Sequence, residues 1–194
     1  MSHLILQPTA TAQWQALVKE AEKSSHMLLH EDLESYLVFL LVRFTGKPEM
    51  AKSVLALEFL HGAQAVGQQQ QEELRDVGDK CLLTAGLFPG RAIRKRVRIS
   101  YFVQLGQNAY AALAVNSKQT LAELYKALEE GFVSLMDVLH VVRELSDDAN
   151  SLTLLQAEEL WQDTASQHAL SVLRRGSQGT PIRRIDALVK KWSH

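Results

Sequence analysis

Two pairs of residues in this chain have a spacing that metal chemistry uses on helices. Glu58-Phe-Leu-His61 and Asp137-Val-Leu-His140 each set a carboxylate and an imidazole three positions apart. One helix can then offer both groups to one ion, as the di-iron helical bundles do. With Glu34 and with Asp76 or Asp79 added, a carboxylate and histidine cluster for a divalent or iron-type metal can be drawn inside a bundle. Chance competes with this reading, because a chain with seven histidines and 22 acidic residues yields about one such pair by accident. Asp137 and His140 align with Glu130, Ser134 and Glu144 in the stripe of a solvated helix face, so Asp137 is expected at the surface. Glu58 and His61 lie in a mostly apolar stretch, where a buried ionisable pair must satisfy itself or bind something. They are the candidate metal site, set against an internal salt bridge or a groove edge.

A second candidate is electrostatic. Arg91, Arg94, Lys95, Arg96 and Arg98 concentrate positive charge in one short connection. If Ser100 caps the helix that follows, free backbone N–H groups and a positive helix end lie beside these cations, which suits an anion or an acidic partner. The alternative is a solvated loop whose cations pair with Asp76, Asp79 or nearby carboxylates. His26 and His30 have a metal-compatible spacing but fall at a junction between helices, where capping and solvation are the expected roles. Cys81 is the only cysteine, so no intrachain disulfide forms, and its apolar neighbours Leu82 and Leu83 indicate an inert buried thiol.

No phosphate loop, dinucleotide glycine fingerprint, zinc-type cysteine pair or serine-nucleophile elbow is present, so no residue is assigned a catalytic role. The expected function is a non-catalytic binding or protein-interaction module without a cofactor, through a protein partner or self-association. The alternative is a metal- or small-molecule-binding bundle, possibly an enzyme, centred on Glu58 and His61. With 21 basic against 22 acidic residues, the balance disfavours sequence-independent nucleic-acid binding. Met1 to Pro8 carries no basic leader and too short an apolar run for a secretory signal, and Tyr36 to Val42 is too short to span a bilayer. A cytoplasmic protein without a transmembrane segment is the expectation.

The elements that must position these residues read as helices throughout, since no run alternates over strand length between turn signals. Six to eight helices in a mostly antiparallel all-α bundle are predicted, with a domain over residues 1–176 and a linker plus short amphipathic helix over 177–194. Trp14, Leu17, Val18 and Ala21 mark the inward face of a first helix over 11–24. Leu33, Tyr36, Leu37, Leu40, Leu41 and Phe44 mark a second over 31–45. A third, over 48–66, is apolar nearly all round and is expected at the centre. A fourth covers about 70–85, with Leu74, Gly78, Cys81 and Ala85 on one stripe. Gly78 costs up to about 1 kcal/mol inside a helix and therefore implies close approach of another helix. Gly86 is read as a left-handed stop before Pro89.

Beyond a connection over 87–99 with room for one helical turn, Ser100 opens a fifth helix whose Gly106 and Ala109 should seat against the small stripe around Gly78. On that packing, Asp76 and Asp79 lean toward the basic connection and become candidates to anchor it. Segments from 117 and from 132 to 145 meet at Gly131, and one long helix runs over 152–175. Pro181 starts a terminal helix with Ile182, Ile185, Leu188, Val189 and Trp192 on its apolar face.

Across Leu74-Arg-Asp-Val-Gly-Asp79, Gly86-Leu-Phe-Pro89 and Tyr101-Phe-Val-Gln-Leu-Gly106, with Ala109 and Tyr110, the chain resembles a group of bacterial all-helical proteins to which no activity is assigned. The resemblance is confined to residues 74–110. It implies a bacterial source and a helical fold, and it implies no chemistry.

Overall fold

The computed structural model describes residues 9–47, 55–146, 152–177, 179 and 181–182. These form ten helices and no strand: α1 (Ala10–Ser25), α2 (Glu31–Gly46), α3 (Leu55–Gln64), α4 (Gly67–Gly86), α5 (Pro89–Arg94), α6 (Ile99–Asn116), α7 (Gln119–Glu130), α8 (Phe132–Leu145), α9 (Leu154–Thr164) and α10 (Gln167–Gly176). The count exceeds the expected six to eight for two reasons. The connection after α4 carries α5, and the single helix expected over 152–175 is broken into α9 and α10. No helix among the described residues is long and apolar enough to cross a membrane.

The centre of the core is α4 rather than the helix before it. Leu74, Val77, Cys81, Leu82, Leu83 and Ala85 are fully buried, and α4 packs most extensively on α6 while also touching α3, α5 and α8. By contrast, α3 presents Leu60 at 53% exposure and His61 to solvent, and it packs mainly on α4, where Gly62 lies against Leu74. An apolar surround is therefore a poor guide to centrality here. The small stripe of α4 does receive α6, as its glycine implied. A Cβ on Gly78 would fall 2.5 Å from Cε1 of Tyr110, and one on Gly106 would fall 2.4 Å from Phe132 and 2.9 Å from Cβ of Cys81.

Gly86 is not a left-handed stop. Gly67 is the only glycine with positive φ among the described residues, whereas Gly86 stays helical and makes room for Leu139 of α8, to which a Cβ would come within 2.5 Å. The end of α4 is closed instead by Leu87 and Phe88, whose N–H groups both donate to the carbonyl of Leu83. Ser100 is not the cap of α6 either. Arg98 occupies that position in extended conformation, and the Ser100 hydroxyl donates across to Asp163 of α9 at 2.7 Å.

The histidine junction behaves as its composition implied. His26 caps the end of α1 with φ 54°, and His30 opens α2 with its Nδ1 accepting from Asp32 N–H at 3.5 Å. Residues 48–54 of the predicted third helix and residues 183–194 of the predicted terminal helix lie outside the described residues. Its first two residues, Pro181 and Ile182, are described, and the Ile182 carbonyl accepts from Gln162 of α9.

Candidate anion-binding site

The basic connection divides into two parts with different roles. Pro89 starts α5, where a missing N–H costs nothing. Ala92 is buried against the core and fixes the rotation of this short helix, which leaves Arg91 and Arg94, three apart, on a shared outer face. The Arg91 guanidinium lies 4.3 Å over the ring of Phe88, which in turn packs on Phe44. From the last turn of α8, Arg143 reaches the same place. A depression of about 190 Å³ results, lined by Phe88, Pro89 and Gly90 and by Arg91, Arg94 and Arg143.

Sequence reading identified Arg91 and Arg94 but missed Arg143, which is far along the chain. Two of its nitrogens, Nε and Nη2, are buried without a hydrogen-bond partner. Burial lowers the proton affinity of Arg143, against the pull of Glu144, and lowers that of Arg91, to which Arg94 adds like-charge repulsion. An oxyanion in the depression would oppose both effects and could accept from several guanidinium N–H groups at once.

The remaining cations lead elsewhere. Arg96 holds a left-handed backbone with φ 55° between α5 and α6, and Lys95 and Arg96 are exposed. Arg98 faces Asp163 of α9 at 3.4 Å. The connection is not anchored by Asp76 or Asp79, because α2 claims both. Arg43 bonds Asp79 and lies 3.6 Å from Asp76, and the hydroxyls of Tyr36 and Tyr110 donate to Asp79 at 2.6 and 2.7 Å. Burial pushes the Asp79 carboxyl up against the opposing pull of Arg43 and the two hydroxyls. The tyrosines are raised well above their ordinary range by burial and by Asp79, so they remain donors. The result is a closed hub joining α2, α4 and α6.

The Glu58 and His61 pair sits at the rim of a different depression, of about 240 Å³, with Glu73, Asp76 and Lys80. Glu58 bonds Lys80 Nζ at 2.7 Å, and His61 is exposed. Among the described residues no group of three or more His, Cys, Asp or Glu side chains stands in a metal-holding arrangement.

Asp137 and His140, read as a solvated face, are buried, with Asp137 1% exposed and His140 fully enclosed. The cover is α10, which folds back because Ala165 adopts φ 60° and Ser166 caps a new helix. Asp137 accepts from Ser166 Oγ at 2.5 Å and from the N–H groups of Gln167 and His168 at 2.8 and 3.3 Å. An α8 side chain thus completes the cap that Ser166 begins at α10. Burial raises the Asp137 carboxyl despite these bonds. The His140 and His168 rings stack at 5.1 Å and 9°, and His168 Nε2 lies 3.2 Å from Glu144 Oε1.

Comparison of the chain with protein-family models, with curated proteins and with solved structures gives no match.

Proposed function

We propose that this chain is a non-catalytic helical binding module that takes an anionic group of a protein partner at Arg91, Arg94 and Arg143. The observation that carries the reading is that Arg91, Arg94 and Arg143 line one depression, and that two buried nitrogens of Arg143 lack a hydrogen-bond partner. An unsatisfied buried donor on a charged group costs more than about 1–3 kcal/mol, and an incoming oxyanion recovers that cost. A protein partner suits a near-neutral chain with a small basic patch better than nucleic acid does.

The commitment of the chain's other reactive groups supports the non-catalytic part. Ser166 Oγ is fully buried, donates to Asp137 and accepts from Ala169 N–H, so it is committed to the α10 cap and closed to a substrate. Cys81 is buried, and burial pushes its thiol far above the ordinary range. Asp79 is occupied by Arg43 and two tyrosines.

Titration with inorganic phosphate and pyrophosphate at low salt tests the site, with thermal shift and calorimetry as readouts. Ligand at one hundred times its Kd stabilises the fold by about 2.7 kcal/mol. Arg143→Met retains the alkyl stem and should abolish the saturable shift, and Arg94→Glu should do the same. Equal response in wild type and R143M, or no response at any salt concentration, would falsify the assignment.

A further inference from the structure

Neutral histidine rings normally find at least one partner for their two nitrogens, and a fully buried ring without any is exceptional. His140 is such a ring: it is completely enclosed on α8, and neither Nδ1 nor Nε2 has a hydrogen-bond partner. It faces the ring of His168, which belongs to α10 and is 5% exposed. These two rings, together with the Asp137 cap, join α10 to α8.

We propose that α10 is an acid-sensitive latch, which undocks from α8 when the stacked His140 and His168 pair takes up a proton. The asymmetry of the pair sets the direction. A proton on His168 can be shared with Glu144, 3.2 Å from its Nε2. A proton on His140 has no acceptor, and the charged groups acting on it are His168 and Arg143, both cationic when protonated. On the packed elements around the pair, Arg175 of α10 flanks Glu144 and His168 in a groove that His26, beyond α1, also lines. Glu22 of α1 is occupied by the N–H of Leu29, Asp79 of α4 by Arg43, and Asp163 of α9 by Ser100 and Arg98. Asp137, one turn before His140, is engaged by Ser166 and by the N–H groups of Gln167 and His168, and the charges acting on His140 itself are cationic.

Burial first, then His168 and Arg143, hold His140 well below the ordinary histidine range. Its folded proton affinity is therefore lower than its unfolded one. The docked state has full stability above the unfolded value of about 6.5 and loses it as pH falls below that value, with the opening equilibrium growing up to about tenfold per pH unit. Glu144 is held below the ordinary carboxylate range chiefly by His168, so its own contribution fades only at lower pH. Asp137 is raised by burial, so its docked form binds a proton more readily than its free form and works against opening as pH falls; the opening between pH 7 and pH 5 is assigned to His140.

The experiment is hydrogen exchange on the full chain between pH 7.5 and pH 5, corrected for intrinsic rates and read by peptide. Amides of residues 167–176 in the wild type should open about tenfold more per pH unit below 6.5, with α4 and α6 amides unchanged. His140→Leu should remove that dependence and keep α10 protected at pH 5. His140→Phe, which preserves a flat ring against His168, provides the same readout if the leucine variant does not fold. The proposal is overturned if α10 protection in the wild type is independent of pH. It is equally overturned if a folded His140 variant retains the dependence, or if α4 and α6 open in step with α10.

Discussion

Replacing Gly78 with alanine sets two physical effects against each other, and the structure determines which wins. Helix propensity alone favours alanine by about 1 kcal/mol. The new methyl, however, would fall 2.5, 2.8 and 2.9 Å from Cε1, Cζ and Cδ1 of Tyr110. That ring is fully buried between the rings of Tyr125 and Phe132 and edge-on to Tyr36, so it has little room to retreat. Overpacking of this kind costs about 1–3 kcal/mol. Displacing the ring also pulls its hydroxyl from the Asp79 carboxylate, now 2.7 Å away, and a hydrogen bond to a charged group contributes about 1.5–3 kcal/mol. The balance is a loss of about 3 kcal/mol, which for a chain of this size lowers Tm by about 6–12 °C. Urea denaturation of wild type and G78A measures it directly. Gly46→Ala is the control: nothing lies within 4 Å of its Cβ position, so it should be neutral or slightly stabilising. Replacing Tyr110 by leucine should shrink the cost of G78A, because the obstructing ring is gone. If G78A matches or exceeds wild-type stability, the close approach of α4 and α6 has been misjudged.

Ser166→Ala should cost about 1–2 kcal/mol in urea denaturation, since the side chain both caps α10 and donates to Asp137, and destabilisation below a few tenths would contradict that role. Asp137→Ala should cost more, because three donors lose their acceptor at once, and hydrogen exchange should show the loss first in α10. Cys81 should react with a neutral-pH thiol reagent only as fast as the protein unfolds, being buried with its thiol pushed far up; rapid native-state labelling would refute this.

Local features of the fold were legible where the signal lay within one helix. The Gly78 and Ala85 stripe announced a close partner, and the matching small residues of α6 pointed to it, with Gly106 lying against Cys81. The caps at His26 and His30 and the burial of Cys81 followed from neighbouring residues in the same way. Features that depend on a distant element were hidden. Asp137 and His140 have the periodicity of a wet face, and only the corner at Ala165 brings α10 over them. That corner lacks glycine or proline; its sequence signal is Ser166 as the cap of α10. Arg143 was missed for a related reason: nothing in the last turn of α8 says which loop it will face. The acidic anchors proposed for the basic connection failed because α2 supplies an arginine at the right height on the other side.

The hub at Asp79 bears on the order in which the chain assembles. Helices α4 and α6 are near neighbours in sequence and can pair early, yet their pairing encloses a carboxylate whose cationic partner, Arg43, comes from α2. A half-built core with the carboxylate enclosed and Arg43 absent would carry an uncompensated charge at a cost of several kcal/mol. Partial structures are thereby penalised, and α2, α4 and α6 are bound to form and to come apart together as one cooperative folding unit.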